Sequence, residues 1–393
     1  MNQPTTPNPS PELAESESEA HAAPGAKIGT GVSSSTLSSH APERAGFSAS
    51  ELLQVVSRYE TGIIEGVHEL PRGSTRAPKL ILKTERGPML LKRRAAGRDN
   101  PARVGFTHGL HRHLESHGYQ VPRLMGCARD RSPSVHVGEK IYELFEFVPG
   151  QAYDHSTEST RSAGDALALL HRLSAGYAPS WRPAGGGFHD QPVIVDSLTS
   201  MTSRFGGSGD AEAIGRLRDA YEHARQQANG SGISAWPTQV IHGDWHPGNL
   251  LFKDHKVIAV LDFDTARVAS RGEDLASGAL QFSLIRGERQ DPSTWPDELD
   301  IDRFRSFCEG YDAVPGCRIS MAELKALAWL MIESLITEAV VPIAATGSFA
   351  RMEGGAFLRM IDRKVQWLVD HADTLREVLD EQDENRVQET VGS

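Results

Sequence analysis

Between Val240 and Thr265 the chain reads VIHGDWHPGNLLFKDHKVIAVLDFDT, and His242, Asp244, Asn249, Asp262 and Asp264 all fall inside this one segment. An amide oxygen and carboxylates form a hard-oxygen donor set suited to Mg²⁺. Transfer of a phosphoryl group from ATP needs such a set, together with a carboxylate free of metal duty that orients an attacking hydroxyl and accepts its proton. Asp244 is the candidate base, and Asn249 and Asp262 are the candidate metal ligands. A lone Asp or Asn in a turn more often caps a strand end or satisfies a buried donor. Five such groups at these spacings favour the chemical reading.

Two apolar runs position them. Leu250–Phe252 and Val257–Leu261 flank the polar stretch Asp254, His255 and Lys256, which predicts a buried hairpin. A two-residue loop at His255 and Lys256 would place Asn249 opposite Asp262. The turn lacks Asn-Gly or Asp-Gly, so a slip of one residue stays open.

His242, Asp244 and Asn249 form an HxDxxxxN pattern, and Asp262-Phe263-Asp264 follows after a short gap. This HGDxHxGN…DFD arrangement resembles the aminoglycoside phosphotransferase and choline kinase branch of kinase-like enzymes, which includes type II homoserine kinase-like and spore-coat kinase-like proteins. The resemblance spans about residues 46–369. It implies an α+β, bilobal protein-kinase-like fold: a small antiparallel β-sheet lobe with one helix, at 46–148, and a larger, mainly helical lobe, at 149–369, that carries the catalytic hairpin. It also implies that Asp244 is the base, that Asn249 and Asp262 hold Mg²⁺, and that His242 braces the loop. His246, Pro247 and Gly248 would shape the loop without direct chemistry.

An enzyme of this kind needs a lysine for the nucleotide phosphates, a phosphate-covering loop, a helix and a hinge. Lys79–Thr84 and Met89–Lys92 are strand-like runs joined by the turn Glu85-Arg86-Gly87-Pro88. Lys92 resembles the phosphate-binding lysine, with Lys83, Arg93 and Arg94 as rival cations nearby. The covering loop would be Leu70–Pro78, with Gly73 and Ser74 as candidate phosphate contacts. Asn100-Pro101 opens a helix as N-cap and first residue. The family places a lysine-fixing glutamate about two turns before that helix ends, where this chain has Thr107 or His108. His108 is a candidate polar substitute, and His111 and His113 read as helix-surface residues. The apolar strand Lys140–Val148, ending at Pro149-Gly150, resembles the hinge, with backbone groups of Glu146 and Phe147 facing adenine.

Farther along, Ala166, Leu167, Leu170 and Leu173 recur at helical spacing, with His171 as a core histidine. Asp274 in RGEDLA reads as a structural cap. Ser320 and Glu323 make a capping box before an apolar run, Leu324–Val341, that Pro342 is expected to stop. Glu333 and Glu338 within it mark a buried core helix rather than a membrane span. A second helix is expected from about Phe349. This helical part would shape the acceptor pocket. The acidic run Asp291, Asp297, Glu298, Asp300 and Asp302 is either a lure for a cationic acceptor or a solvated face.

Residues 1–45 are rich in Pro, Ser, Ala and Glu and are expected to be disordered, with order starting at the Ser48–Glu51 capping box. Residues 370–393 are expected to be a fraying acidic tail. The two ends account for nine of the eleven net negative charges, leaving a nearly neutral core with no electrostatic case for nucleic acid. Three widely spaced cysteines fit neither a disulfide framework nor a CxxC zinc site. With no apolar leader-like stretch in the first thirty residues, the expected setting is cytoplasmic, without a membrane partner. Three functions compete. The leading one is an ATP- and Mg²⁺-dependent phosphotransferase acting on a hydroxyl of a small molecule. The others are a degenerate kinase-fold binding or coat protein and a metal-dependent phosphohydrolase.

Overall fold

The computed structural model of the chain describes residues 46–70, 77–179, 181, 186–205 and 207–380. The expected covering-loop residues Gly73 and Ser74 lie outside them, as do the first 45 residues.

The chain enters through α1 (Ala49–Val56), whose Ser48–Glu51 capping box is formed. Strands β1 (Ile64–Glu69), β2 (Lys79–Thr84) and β3 (Gly87–Arg93) lead to α2 (Pro101–Ser116), followed by β4 (Val135–Val137) and β5 (Lys140–Glu146). These strands make one antiparallel sheet in the order β1-β2-β3-β5-β4. Its buried face carries Leu80, Leu82, Met89, Leu91, Tyr142 and Leu144, closed by Val55 and Tyr59.

Helix α2 is capped by the Asn100 side chain, as its sequence predicts. It points Phe106, Leu110 and Leu114 into the larger hydrophobic core that follows it in sequence. That packing corrects the surface reading of two histidines. His111 is buried and meets the Pro122 carbonyl at 2.6 Å, and His113 reaches the Leu173 carbonyl at 2.8 Å while stacking on Tyr177.

The remainder is mostly helical: α3 (Thr157–Ser174), α4 (Pro192–Arg204) and α5 (Ser208–Gly230), then β6 (Thr238–Ile241), β7 (Leu250–Lys253), β8 (Lys256–Val260) and β9 (Arg267–Ser270). Next come α6 (Arg271–Ser283), α7 (Ile301–Asp312), α8 (Met321–Thr346), the two-residue strands β10 (Ser348–Phe349) and β11 (Met352–Glu353), and α9 (Gly354–Asp370). Helices α3 and α7 cross closely because glycines face each other's backbone. A Cβ on Gly310 would lie 1.9 Å from the Arg161 carbonyl oxygen, and one on Gly164 2.0 Å from that of Phe307.

Three expectations are corrected here. Pro342 does not end α8, which continues to Thr346 and stops at Gly347 with φ +82°. Proline removes a helical hydrogen bond and crowds the preceding turn, but packing of α8 against α5, α6 and α9 carries the helix through it. Phe349 lies in the β10–β11 hairpin, and α9 starts only at Gly354, capped by Glu353. Past the expected tail boundary at 370, residues 372–380 are helical and bury Leu375 and Leu379. Helix α8 has the length and apolar composition of a membrane span, but 78% of the span-like window is buried inside the protein.

Candidate active site

Strands β7 and β8 form the predicted hairpin, with its turn one residue earlier than symmetric pairing implied. Asp254 and His255 both take positive φ, 49° and 60°, and Leu250 pairs with Val260. A turn with two positive-φ residues matches the twist of the flanking strands, and here Asp-His serves where Asn-Gly is usual. An irregularity between Leu251 and Phe252 recovers one residue of register, so Leu261 lies opposite Asn249, its N–H donating to the Asn249 carbonyl at 2.9 Å. Asp262 therefore stands one residue beyond the last pair, at φ +61°. Aspartate tolerates this left-handed region better than most side chains, and such strain gathers at functional sites.

The loop between β6 and β7 carries Asp244 and Asn249. The Asn249 amide donates to the Asp244 side chain at 3.2 Å and to its carbonyl at 2.9 Å. His246 approaches the other Asp244 oxygen at 3.6 Å. Burial pushes the Asp244 carboxyl up, but the charge and hydrogen bond of His246, with His242 behind it, outweigh burial and hold it below the ordinary value. Asp244 is thus ionised at neutral pH.

A buried support keeps this loop in shape. Asp274 accepts the N–H groups of His242 at 2.6 Å and Gly243 at 2.8 Å, and meets His171 at 3.3 Å. The helix cap expected of Asp274 is supplied instead by Ser270, so Asp274 caps the loop between β6 and β7 that carries Asp244. Gly243 sits at φ +77°, and a Cβ there would strike Arg267 and the Thr265 carbonyl. His242 is buried with Nε2 on the Leu261 carbonyl at 3.0 Å.

Lys92 of β3 reaches this loop from the sheet. Its ammonium lies 3.0 Å from Asp262 and 2.8 Å from Asp264. Burial alone would lower the pKa of Lys92; the two aspartates and Glu143 raise it above the usual lysine value. Burial likewise opposes ionisation of Asp262, and Lys92 overcomes it, so that carboxyl is held low. The rival cations go elsewhere: Lys83 pairs with Glu65 at the surface, and Arg93 with Glu51.

Arg94, Glu143 and Asp264 are site residues that the reading of the chain did not assign. Arg94 contacts Glu143 at 2.7 Å, Asp264 at 3.3 Å and the Thr107 hydroxyl at 2.8 Å. His108 meets the same Glu143 oxygen at 2.5 Å. An acid flanked on both sides by large apolar residues in the strand KIYELFE was the available signal for Glu143. Both helix positions lacking an acid, 107 and 108, therefore join the network around the lysine.

At the expected hinge, the Glu146 N–H donates to the Arg123 carbonyl at 2.9 Å and the Phe147 N–H to the Pro88 carbonyl at 3.2 Å. Both amides expected to face adenine are thus engaged inside the protein.

Asp244 and His246 also line a cleft with about 630 Å³ of open space including its mouth, walled by α6, α8 and α9. Phe349 and Phe357 stack at 4.0 Å on its apolar side. Glu338 is a partly buried acid of its wall, held by Ser334 at 3.0 Å, Ser277 at 3.4 Å and Gln281. Burial, reinforced by the charge of Asp244, pushes Glu338 up to about 7. Lys364 and Arg286 line the same cleft. Lys364 donates to the Ile285 and Pro296 carbonyls, and burial brings it down to about 8. Arg286 makes no hydrogen bond or ion pair among the described residues, and burial lowers its pKa. None of the five acids from Asp291 to Asp302 lines the cleft. Asp291 and Asp300 cap helices, Asp297 pairs with Arg363, and Asp302 with Arg305.

Comparison with known proteins identifies the fold and the family. The homoserine kinase of Acidiphilium cryptum is 27% identical over 275 residues, 68% of this chain and 74% of the relative. That of Rhodospirillum rubrum is 27% identical over 268 residues, with the same coverage. Among solved structures, the aminoglycoside phosphotransferase of Alicyclobacillus acidocaldarius superposes with a TM-score of 0.58 at 17% identity, covering 85% of this chain and 96% of that one. A microcompartment-associated aminopropanol kinase gives 0.60 at 15% identity, with coverage of 84% and 99%. These likenesses establish the kinase-type α+β fold. Residues 67–317 match the phosphotransferase enzyme family (APH), and the chain belongs to that family.

Proposed function

We propose that the protein moves the γ-phosphoryl group of ATP, with Mg²⁺, to a hydroxyl of a small molecule that also carries an amine. The observation that carries this reading is the placement of Asp244, which touches Asn249 on one side and lines the Glu338 cleft on the other.

Asp262 and the side-chain oxygen of Asn249 would hold the metal. Among the described residues there is no cluster of three or more His, Cys, Asp or Glu that could form an all-protein cage. Mg²⁺ does not need one, since it is commonly bound through one or two protein carboxylates plus phosphates and water. When bound, the ion neutralises charge on the phosphate oxygens as the group transfers. The chain's own groups do the rest. Lys92 contacts the phosphates. The Asp244 carboxylate orients the acceptor hydroxyl and takes its proton as the new oxygen–phosphorus bond forms and the bond from the γ-phosphorus to ADP breaks. Glu338 pairs with the acceptor's amine, and the aromatic wall covers its apolar part. Homoserine and aminopropanol, named for the related kinases, both carry an amine and a hydroxyl. Arg286, which feels the charge of Glu338 but makes no hydrogen bond or ion pair among the described residues, favours an acceptor that also bears a carboxylate.

ADP release measured against homoserine, aminopropanol, choline, aminoglycosides and a neutral sugar tests this. An amine-bearing acceptor should give turnover, and Asp244→Asn should lower kcat by about 10²–10⁴, the usual contribution of a general base, with ATP binding retained. Full turnover in Asp244→Asn, or transfer only to the neutral sugar, would overturn it.

A further inference from the structure

Lys92 and Glu143 are direct partners across β3 and β5, so their side chains leave the same face of the sheet, with Cβ atoms about 4.5–5.5 Å apart. Glu143 is 1% exposed. Three donors converge on its Oε1: Arg94 Nε at 2.8 Å, Arg94 Nη2 at 2.7 Å and His108 Nε2 at 2.5 Å. Its Oε2 is buried and has no hydrogen-bond partner among the described residues. Leaving a buried charged oxygen without a donor is costly, and such groups in native sites call for a functional account.

Lys92 supplies that account. Its present partners are Asp262 and Asp264, and on the reading above Asp262 is needed by the metal. A lysine that gives up Asp262 must still be held against the phosphates. The acid that usually does this stands on the helix, where this chain has Thr107 and His108.

We propose that Glu143 is the positioning residue of the phosphate-binding lysine, its unpartnered Oε2 taking the Lys92 ammonium when nucleotide engages Asp262. His108, from the helix position of the missing acid, and Arg94, braced by Thr107, fix Glu143 through its other oxygen. The lysine-holding acid has moved from helix α2 to strand β5, and the helix has become its support.

This rests on the kinase reading, and the test separates the two. If the wild-type protein shows no ATP-dependent transfer to any acceptor, the functional reading fails. Given activity, Glu143→Gln should raise KM for MgATP at least fivefold and lower kcat about tenfold, while KM for the acceptor stays within twofold. The double variant Glu143→Gln with His108→Glu returns an acid to the helix and should recover at least half of the lost kcat/KM for ATP. His108→Gln keeps Glu143 but loosens it, and should raise KM for MgATP two- to threefold, so it provides the readout if Glu143→Gln does not fold. Unchanged ATP kinetics in a folded Glu143→Gln, or in His108→Gln where that variant is the readout, would overturn the proposal. So would a double variant no better than Glu143→Gln alone.

Discussion

Asp274 holds the loop that carries Asp244, the proposed base, and Asp274→Asn tests how far that loop depends on it. The carboxylate is 1% exposed and takes two loop N–H groups, from His242 at 2.6 Å and Gly243 at 2.8 Å, with one of its oxygens also on His171. Asparagine offers one carbonyl oxygen, so either its NH₂ faces a backbone N–H or one donor is left buried without an acceptor. Hydrogen bonds to a charged group are worth about 1.5–3 kcal/mol each, and breaking a buried charged arrangement costs about 3–5 kcal/mol. At about 2 °C per kcal/mol for a body of this size, Tm should fall by roughly 6–10 °C. The loop also sets where Asp244 stands, and a misplacement of about 1 Å can cost about 10² in rate. Differential scanning calorimetry and steady-state kinetics would be run on the same preparation. Burial raises the Asp274 pKa, but His171, His242 and Arg267 together leave it below the ordinary value. The stability it confers is therefore present above the unfolded carboxyl pKa and lost as pH falls through the lower folded one. The gap between wild type and Asp274→Asn should narrow below about pH 4. A Tm within 2 °C of wild type at pH 7, together with unchanged kcat, would refute this account of the loop.

Glu338 should confer a pH dependence on acceptor binding. It faces Asp244 and His246 from the catalytic loop, Ser277 and Gln281 from α6, and shares the cleft with Arg286 and with Lys364 from α9. With its carboxyl at about 7, kcat/KM for an amine-bearing acceptor should climb between pH 6 and 8 as the proton leaves; Glu338→Gln should flatten that climb and raise acceptor KM at pH 8. A superimposable profile in the variant would remove Glu338 from amine recognition. The folded pKa lies above the unfolded one, so Glu338 favours the fold most below the unfolded value and loses that contribution as pH rises through about 7. Glu338→Gln should accordingly be no less stable than wild type at pH 8. On the scaffold, Gly310→Ala pushes a methyl against the Arg161 carbonyl and should cost about 3 kcal/mol by overpacking, whereas Gly215→Ala on α5, with nothing within 4 Å of the new carbon, should gain about 0.5–1 kcal/mol of helix propensity. Equal Tm values for the two variants would show that the α3–α7 crossing is not limited by those glycines.

The parts of this molecule legible in its sequence are those whose partners lie close along the chain. The capping boxes at Ser48 and Ser320 each join residues three apart, and both form. The hairpin holding Asn249 and Asp262 needs only two apolar runs and a polar turn, although the turn residues did not reveal which pair takes positive φ. What stayed hidden depends on distant register. Glu143 is opposite Lys92 only because β3 pairs with β5 in one register out of several, and nothing within KIYELFE marks that position except that an acid sits where apolar residues surround it. Glu338 is a similar case. It reads as one charge in a long apolar helix, and its place beside Asp244, 94 positions earlier in the chain, emerges only when α8 packs on α6. Pro342 was misjudged because local sterics argue for a stop, while burial along α8 supplies the larger contribution. The loop holding Gly73 and Ser74 lies outside the described residues. The hairpin and loop that bring Asp244, Asn249 and Asp262 near one another were thus readable from local spacing. The positions of Glu143 and Glu338 were not, because each is set by a strand or helix far away in sequence. Substitutions at Glu143 and Glu338 should therefore alter ATP and acceptor kinetics separately, since Glu143 stands opposite Lys92 in the sheet while Glu338 shares the cleft with Asp244.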